Sequence, residues 1–193
     1  MYTKPSTLDK NSSILLVIDV QENLMRIMPR REEVINSVST LIKGAKILGV
    51  PILLTEQYPA GLGCTVKELE TLIDTEKVFE KIHFDCCQEE GFRSILKDSG
   101  RLQIMVCGSE THICVLQTSI SLLRSGYDVY VIADAVCSRN DIDNDTALET
   151  LRHFGAIVST VETVLYQLMK TARGDEFKEV SQLVKRLRSL REF

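Results

Sequence analysis

Cys114 stands where a thiol can act as a nucleophile. It lies in the run GSETHICVLQT, after the apolar stretch Leu102 to Cys107 (LQIMVC) and a turn at Gly108. It falls in the first turn of a helix that buries Ile113, Leu116, Ile120 and Leu123 and ends near Gly126, with Thr111 as the expected N-cap. Unpaired backbone N–H groups and the helix dipole concentrate partial positive charge at such a position. The spacing therefore predicts a thiol pKa below its ordinary value of about 8.5, and amides able to hold an oxyanion. The competing reading is a small apolar cysteine packed into a core.

A cysteine nucleophile needs a base and a counter-charge. Asp19 closes the apolar run Ile14 to Ile18 (ILLVI), and a carboxylate at that point needs a cation or hydrogen bonds to offset its desolvation. It could accept the thiol proton and later activate water, or it could simply cap the turn Gln21 to Leu24. Lys77 and Lys81 in EKVFEKIHF could both supply the ammonium, and spacing does not choose between them. The histidines, His83, His112 and His153, form no HxH or HxxxH pair, and no CxxC pair occurs, so no metal is expected. His112, two residues before Cys114, could border a pocket, but on a helix it would point to a different face. GLGCTV at 61–66 lacks the third glycine of a dinucleotide fingerprint, so no cofactor is expected either.

Elements of alternating type must position these groups. Ile14 to Ile18, Val50 to Thr55, Leu102 to Cys107, Asp128 to Ala133 and the short Ala156 to Ser159 read as strands buried on both faces. Between them the pattern predicts amphipathic helices over Arg30 to Leu48 and Asp143 to Phe154, and two more close the chain, about Val161 to Thr171 and Glu176 to Leu190. Strand–helix alternation implies right-handed crossovers and an α/β doubly wound parallel sheet with helices on both faces. The length suits a single domain over 1–193, with its core at about 12–185. Ligands bind at the carboxyl ends of such strands, where Asp19, the Gly108 to Cys114 turn and Asp134 are expected. Gln57 to Gly63 (QYPAGLG) reads as a functional loop or a plain connector.

Composition narrows the function. A net charge of -4, with acids and bases mixed, lacks the basic stripe of a nucleic-acid binder. No apolar run approaches the roughly 20 residues of a membrane span, and the polar MYTKPSTLDKNSS is no secretory signal. A cytoplasmic protein without membrane partner is expected, its six cysteines reduced and mostly buried.

The stretches LLVIDVQEN, ILLTEQYPAGLG, EKIHFDCC, VCGSETHICVLQTSISLLRSGYDVYVIADAVCSR and VETVLYQLMKTARGDEFKEV together resemble the isochorismatase-like cysteine hydrolase superfamily. The likeness is strongest to isochorismatase-domain-containing proteins of unassigned substrate, and it spans about residues 12 to 185. The resemblance implies a catalytic triad of Asp19, Lys81 and Cys114, and so selects Lys81 over Lys77. It also implies a non-proline cis peptide at Ser109-Glu110, an oxyanion hole from the amides of Glu110 and Cys114, and a homo-oligomer. Gln21, Tyr58, Phe84 and His112 become the expected substrate-binding residues. Two departures bear on substrate. The loop after the second strand lacks the histidines with which family nicotinamidases hold a metal. Family members that cleave the vinyl ether of isochorismate lack the cysteine present here. Leu24 also replaces the aromatic that often follows the DxQ motif.

The expectation is a cysteine hydrolase acting on a C–N bond of a small amide or carbamoyl-type compound through a thioester. One rival is a catalytically inactive small-molecule-binding or scaffold protein of the same fold. Another is a receiver-type phosphoacceptor domain built on Asp19, Asp134 and a lysine, which would need an acid pair where Val20-Gln21 follow Asp19.

Overall fold

The computed structural model describes residues 7–73 and 78–190, and Lys77 lies outside the described residues. The chain runs β1 (Ser13–Ile18), α1 (Glu22–Met25), α2 (Arg31–Ile47), β2 (Ile52–Gln57), α3 (Pro59–Leu62), α4 (Lys67–Glu70) and β3 (Val78–Lys81). After a 3₁₀ turn (Cys86–Gln88) come α5 (Phe92–Asp98), β4 (Gln103–Ser109), a π turn (Thr111–Val115) and α6 (Leu116–Arg124). Then follow β5 (Asp128–Cys137), α7 (Asp141–Phe154), β6 (Ile157–Ser159), α8 (Val161–Met169) and α9 (Asp175–Ser189).

All strand pairs are parallel, in the order β3-β2-β1-β4-β5-β6. β1 shows why an uninterrupted apolar run makes a central strand. Leu15 and Val17 point into a core shared with α2, α8 and α9, whereas Ile14, Leu16 and Ile18 point into a second core under α5, α6 and α7. Both faces are covered, so neither set of alternating side chains can be polar. Val180, Val184 and Leu187 of α9 join the first core, which packs that helix on its own chain. Gly44 lets α2 approach α8, since a Cβ there would lie 2.5 Å from Leu165 Cδ2.

The structure departs from the pattern reading at several elements. β3 and α5 were not anticipated: Val78–Lys81 is a four-residue edge strand, too short for periodicity to show. β4 and β5 run past their apolar stretches to Ser109 and Cys137, because pairing resumes after an irregularity between Val106 and Gly108. Asp134 consequently lies within β5 rather than at its end. Its Oδ1 accepts the Val161 amide at 2.9 Å, at the start of α8.

Candidate active site

Sheet order locates the crevice. The chain leaves β1 toward β2 on one side and leaves β4 toward β5 on the other, so the carboxyl ends of β1 and β4 border the switch point. Ile18 pairs with Gly108 there, and Gly108 has φ +115. A Cβ on Gly108 would sit 1.9 Å from the Ile18 carbonyl oxygen, so only glycine lets β4 close against the residue preceding Asp19. The Ser109-Glu110 peptide is cis.

Asp19 follows β1 in a left-handed conformation, φ 51, which few non-glycine residues adopt outside constrained sites. Its main chain is tied on both sides, the N–H donating to Thr55 O (3.2 Å) and the carbonyl accepting from Ser109 Oγ (2.8 Å). Oδ1 accepts from Thr55 Oγ1 at 2.7 Å, and Oδ2 lies 2.7 Å from Lys81 Nζ. Both side chains of that pair are fully buried. The Oδ2 contact is an ion pair by distance but lacks hydrogen-bond alignment. Lys81 ends β3, and its ammonium also donates to Gln57 Oε1 (2.6 Å) and His83 O (3.4 Å). Burial pulls the Lys81 pKa down, but the charges of Asp19, Cys114 and Cys86 outweigh it and hold the ammonium above its ordinary value.

Cys114 sits in the π turn, 5% exposed. Glu110 O accepts the amides of Ile113 (3.1 Å) and Val115 (3.3 Å), on either side of the Cys114 amide. The expected drop in thiol pKa does not occur. Burial pushes it up, the Asp19 carboxylate pushes it further, and Lys81 only partly opposes them. The sulfur lies inside the structure, and the charge that acts on it most strongly is an anion. The resting group is therefore a thiol beside a carboxylate and an ammonium. Thr111 is likewise not the N-cap, because its hydroxyl donates to Asn144 Oδ1 of α7 at 2.7 Å.

The other expected residues take varied places. Gln21 is fully buried and braces the loop after β2. Its Oε1 accepts the Gln57 amide (2.7 Å), and its Nε2 donates to the carbonyls of Gln57 (3.0 Å) and Gly63 (2.6 Å). Tyr58 and Phe84 are more than half exposed, and the Tyr58 ring covers Gly61. His112 is half-buried, with Nδ1 2.9 Å from Ser138 Oγ. The Glu110 side chain is buried, and its Oε2 receives both the backbone N–H and Nε of Arg139 at 3.1 Å each.

Sequence reading missed Thr55 and Gln57, which hold the Asp19 carboxylate and the Lys81 ammonium. Alternation along ILLTEQ could have found them, since residues two apart on a strand share a face. Glu56, on the opposite face, receives the Thr65 N–H (2.6 Å) and hydroxyl (2.7 Å), which fastens the loop after β2.

A doubly wound parallel sheet with a buried Asp–Lys pair and a cysteine at its switch point is an α/β protein of the isochorismatase-like fold. Residues 13–163 match the isochorismatase domain family, and the chain belongs to that family. It is 39% identical over 179 residues to the secreted isochorismatase effector of Phytophthora sojae, covering 91% of this chain and 85% of that one. A solved structure named as the MAR1 ribonuclease of Caenorhabditis elegans superposes with a TM-score of 0.87 at 34% identity, covering 93% of this chain and 92% of that one. An octameric hydrolase of unknown specificity from Escherichia coli superposes with a TM-score of 0.88 at 27% identity, covering 97% and 96%. Membership of this family supports hydrolase activity in general. Among the described residues no helix is long and apolar enough to cross a membrane.

Proposed function

We propose that the chain is a one-domain cysteine hydrolase that cleaves the C–N bond of a small amide or carbamoyl-type compound. The observation that carries this reading is the fully buried Asp19–Lys81 pair, with Oδ2 and Nζ 2.7 Å apart, both of whose charges act on the Cys114 thiol. Burying two charges is costly and contributes little net stability, so the pair points to chemistry. Asp19 accepts the Cys114 proton as the sulfur bonds to the carbonyl carbon, so no free thiolate is needed at rest. The amides of Glu110 and Cys114 receive the oxyanion. The C–N bond then breaks, and the amine leaves with the proton that Asp19 returns. Water attacks the thioester while Asp19 takes its proton and passes it back to sulfur, which releases the acid. Lys81 stays protonated throughout and balances whichever of Asp19 or Cys114 is anionic.

The test is a mass-spectrometric trap for an acyl adduct on Cys114 against a panel of amides and ureido compounds, with turnover of the same panel. Cys114→Ala should abolish turnover and keep the fold, whereas activity surviving in that variant removes the nucleophile. The rival reading, an inactive binding or scaffold protein, is favoured by the 5% exposure of Cys114 and its raised pKa, and it predicts binding without any adduct. The ribonuclease name of one neighbour makes RNA a necessary member of the panel, although the net charge of -4 speaks against it. The octameric neighbour supports a homo-oligomer, and six unpaired thiols support a reducing compartment such as the cytoplasm.

A further inference from the structure

Lys81 is held at an unpromising place: the end of a four-residue edge strand that pairs on one side only. The segment that follows is fixed with unusual care. Glu89 Oε1 gathers the amides of Ile82 (2.6 Å) and His83 (2.7 Å) and approaches His83 Nδ1 (2.9 Å), and Gln57 Nε2 donates to Ile82 O (2.6 Å). Asp85 then caps the 3₁₀ turn, accepting the Cys87 amide at 2.9 Å.

This folded segment is fastened to the helix that follows the nucleophile. Thr118 is fully buried, and its hydroxyl accepts the Cys86 amide (3.1 Å) and donates to Phe84 O (3.5 Å). Ser121 Oγ donates to Asp85 Oδ2 at 2.6 Å. Thr118 and Ser121 lie three residues apart on α6, which continues the π turn of Cys114, and so share one face of that helix. The π turn that holds the sulfur therefore runs directly into the helix whose two hydroxyls tether the chain leaving Lys81.

We propose that Thr118 is a positioning residue, whose hydroxyl sets the Lys81 ammonium at its working distance from the Cys114 sulfur and the Asp19 carboxylate. The inference rests on the hydrolase reading for its purpose but not for its test. The ionisable groups that face Cys114 are Asp19, Lys81 and Cys86, and of these only Lys81 favours the thiolate. If the tether is cut, the ammonium recedes and the thiolate becomes rarer. Iodoacetamide reads this directly, because only the thiolate reacts.

The experiment compares full-length wild type, Thr118→Val, which keeps the shape but loses the hydroxyl, and Thr118→Ser, which keeps the hydroxyl. Labelling of Cys114 is followed by peptide mass spectrometry between pH 7 and 9, relative to the exposed Cys64 as internal standard. Thr118→Val should label Cys114 about tenfold more slowly, equivalent to a profile displaced about one pH unit upward, with Thr118→Ser close to wild type. A merely structural hydroxyl gives the opposite sign, since looser packing would expose the sulfur and speed its labelling. Faster or unchanged labelling in Thr118→Val, or equal slowing in Thr118→Ser, overturns the proposal. Should Thr118→Val fail to fold, Ser121→Ala, which cuts the second tether, is read by the same criterion. The hydrolase reading fails separately, by the absence of any acyl adduct.

Discussion

At the scale of single residues, Asp19 and Lys81 dominate because neither can be removed without stranding the other. Their side chains are fully buried, and losing one partner of such a pair typically costs about 3–5 kcal/mol. Asp19→Asn and Lys81→Met should each lower the urea midpoint sharply. The double variant should be more stable than the sum of the two losses, and simple additivity in that cycle would mean the charges are not coupled. Cys114→Ala, by contrast, should unfold within about 1 kcal/mol of wild type while turnover disappears, since it removes one small atom and no charge.

At the scale of elements, the site depends on how closely the end of β4 meets the end of β1. Gly108→Ala forces a methyl to 1.9 Å from a backbone oxygen at φ +115, and backbone cannot swing aside as a side chain does. A loss on the order of 3 kcal/mol or more is expected, seen as a Tm lower by roughly 10 °C together with loss of turnover. Gly44→Ala offers the control. Its 2.5 Å neighbour is the flexible end of Leu165, far from Cys114 in the α2–α8 contact, so stability should fall less and activity should survive. The elements that periodicity missed are instructive too. β3 carries Lys81, yet four residues with Phe79 and Val78 on a sheet edge leave no period to read, and only pairing with β2 makes them a strand.

At the scale of the whole molecule, the buried thiols make stability depend on alkaline pH. Burial pushes Cys86, Cys87 and Cys137 up from 9.0 to about 12, and raises Cys107 and Cys114 as well. The folded chain thus keeps protons that the unfolded chain releases above about pH 9, so stability falls as pH rises past that point. Each such thiol removes about 1.4 kcal/mol per pH unit over that window. Lys81, whose pKa is raised above 10.5, acts in the same direction at still higher pH. Thermal melts should be flat from pH 7 to 8.5 and drop steeply between 9 and 10.5. Cys107→Ala, which removes a thiol shifted by burial alone and packed in the core opposite the one that holds Cys114, should make that drop shallower. An unchanged slope would mean that the thiols do not control it.

Much of this protein follows from local pattern. Unbroken apolar runs such as ILLVI declare strands covered on both sides, helical stripes declare the layers that cover them, and alternation of the two declares the parallel sheet. The motif stretches GSETHICVLQT and TEQYPAGLG carry the family likeness, which singled out Asp19, Lys81 and Cys114. The protonation state of the sulfur was not legible. It depends on depth and on the sign of the charge that acts on it most strongly, both set by residues tens of positions away: Asp19, Lys81 and Cys86 reach Cys114 only once β1, β3 and the 3₁₀ turn converge. Thr55, Gln57 and Thr118 were hidden for the same reason. A hydroxyl or amide has no pattern of its own, and its partner is chosen by the fold.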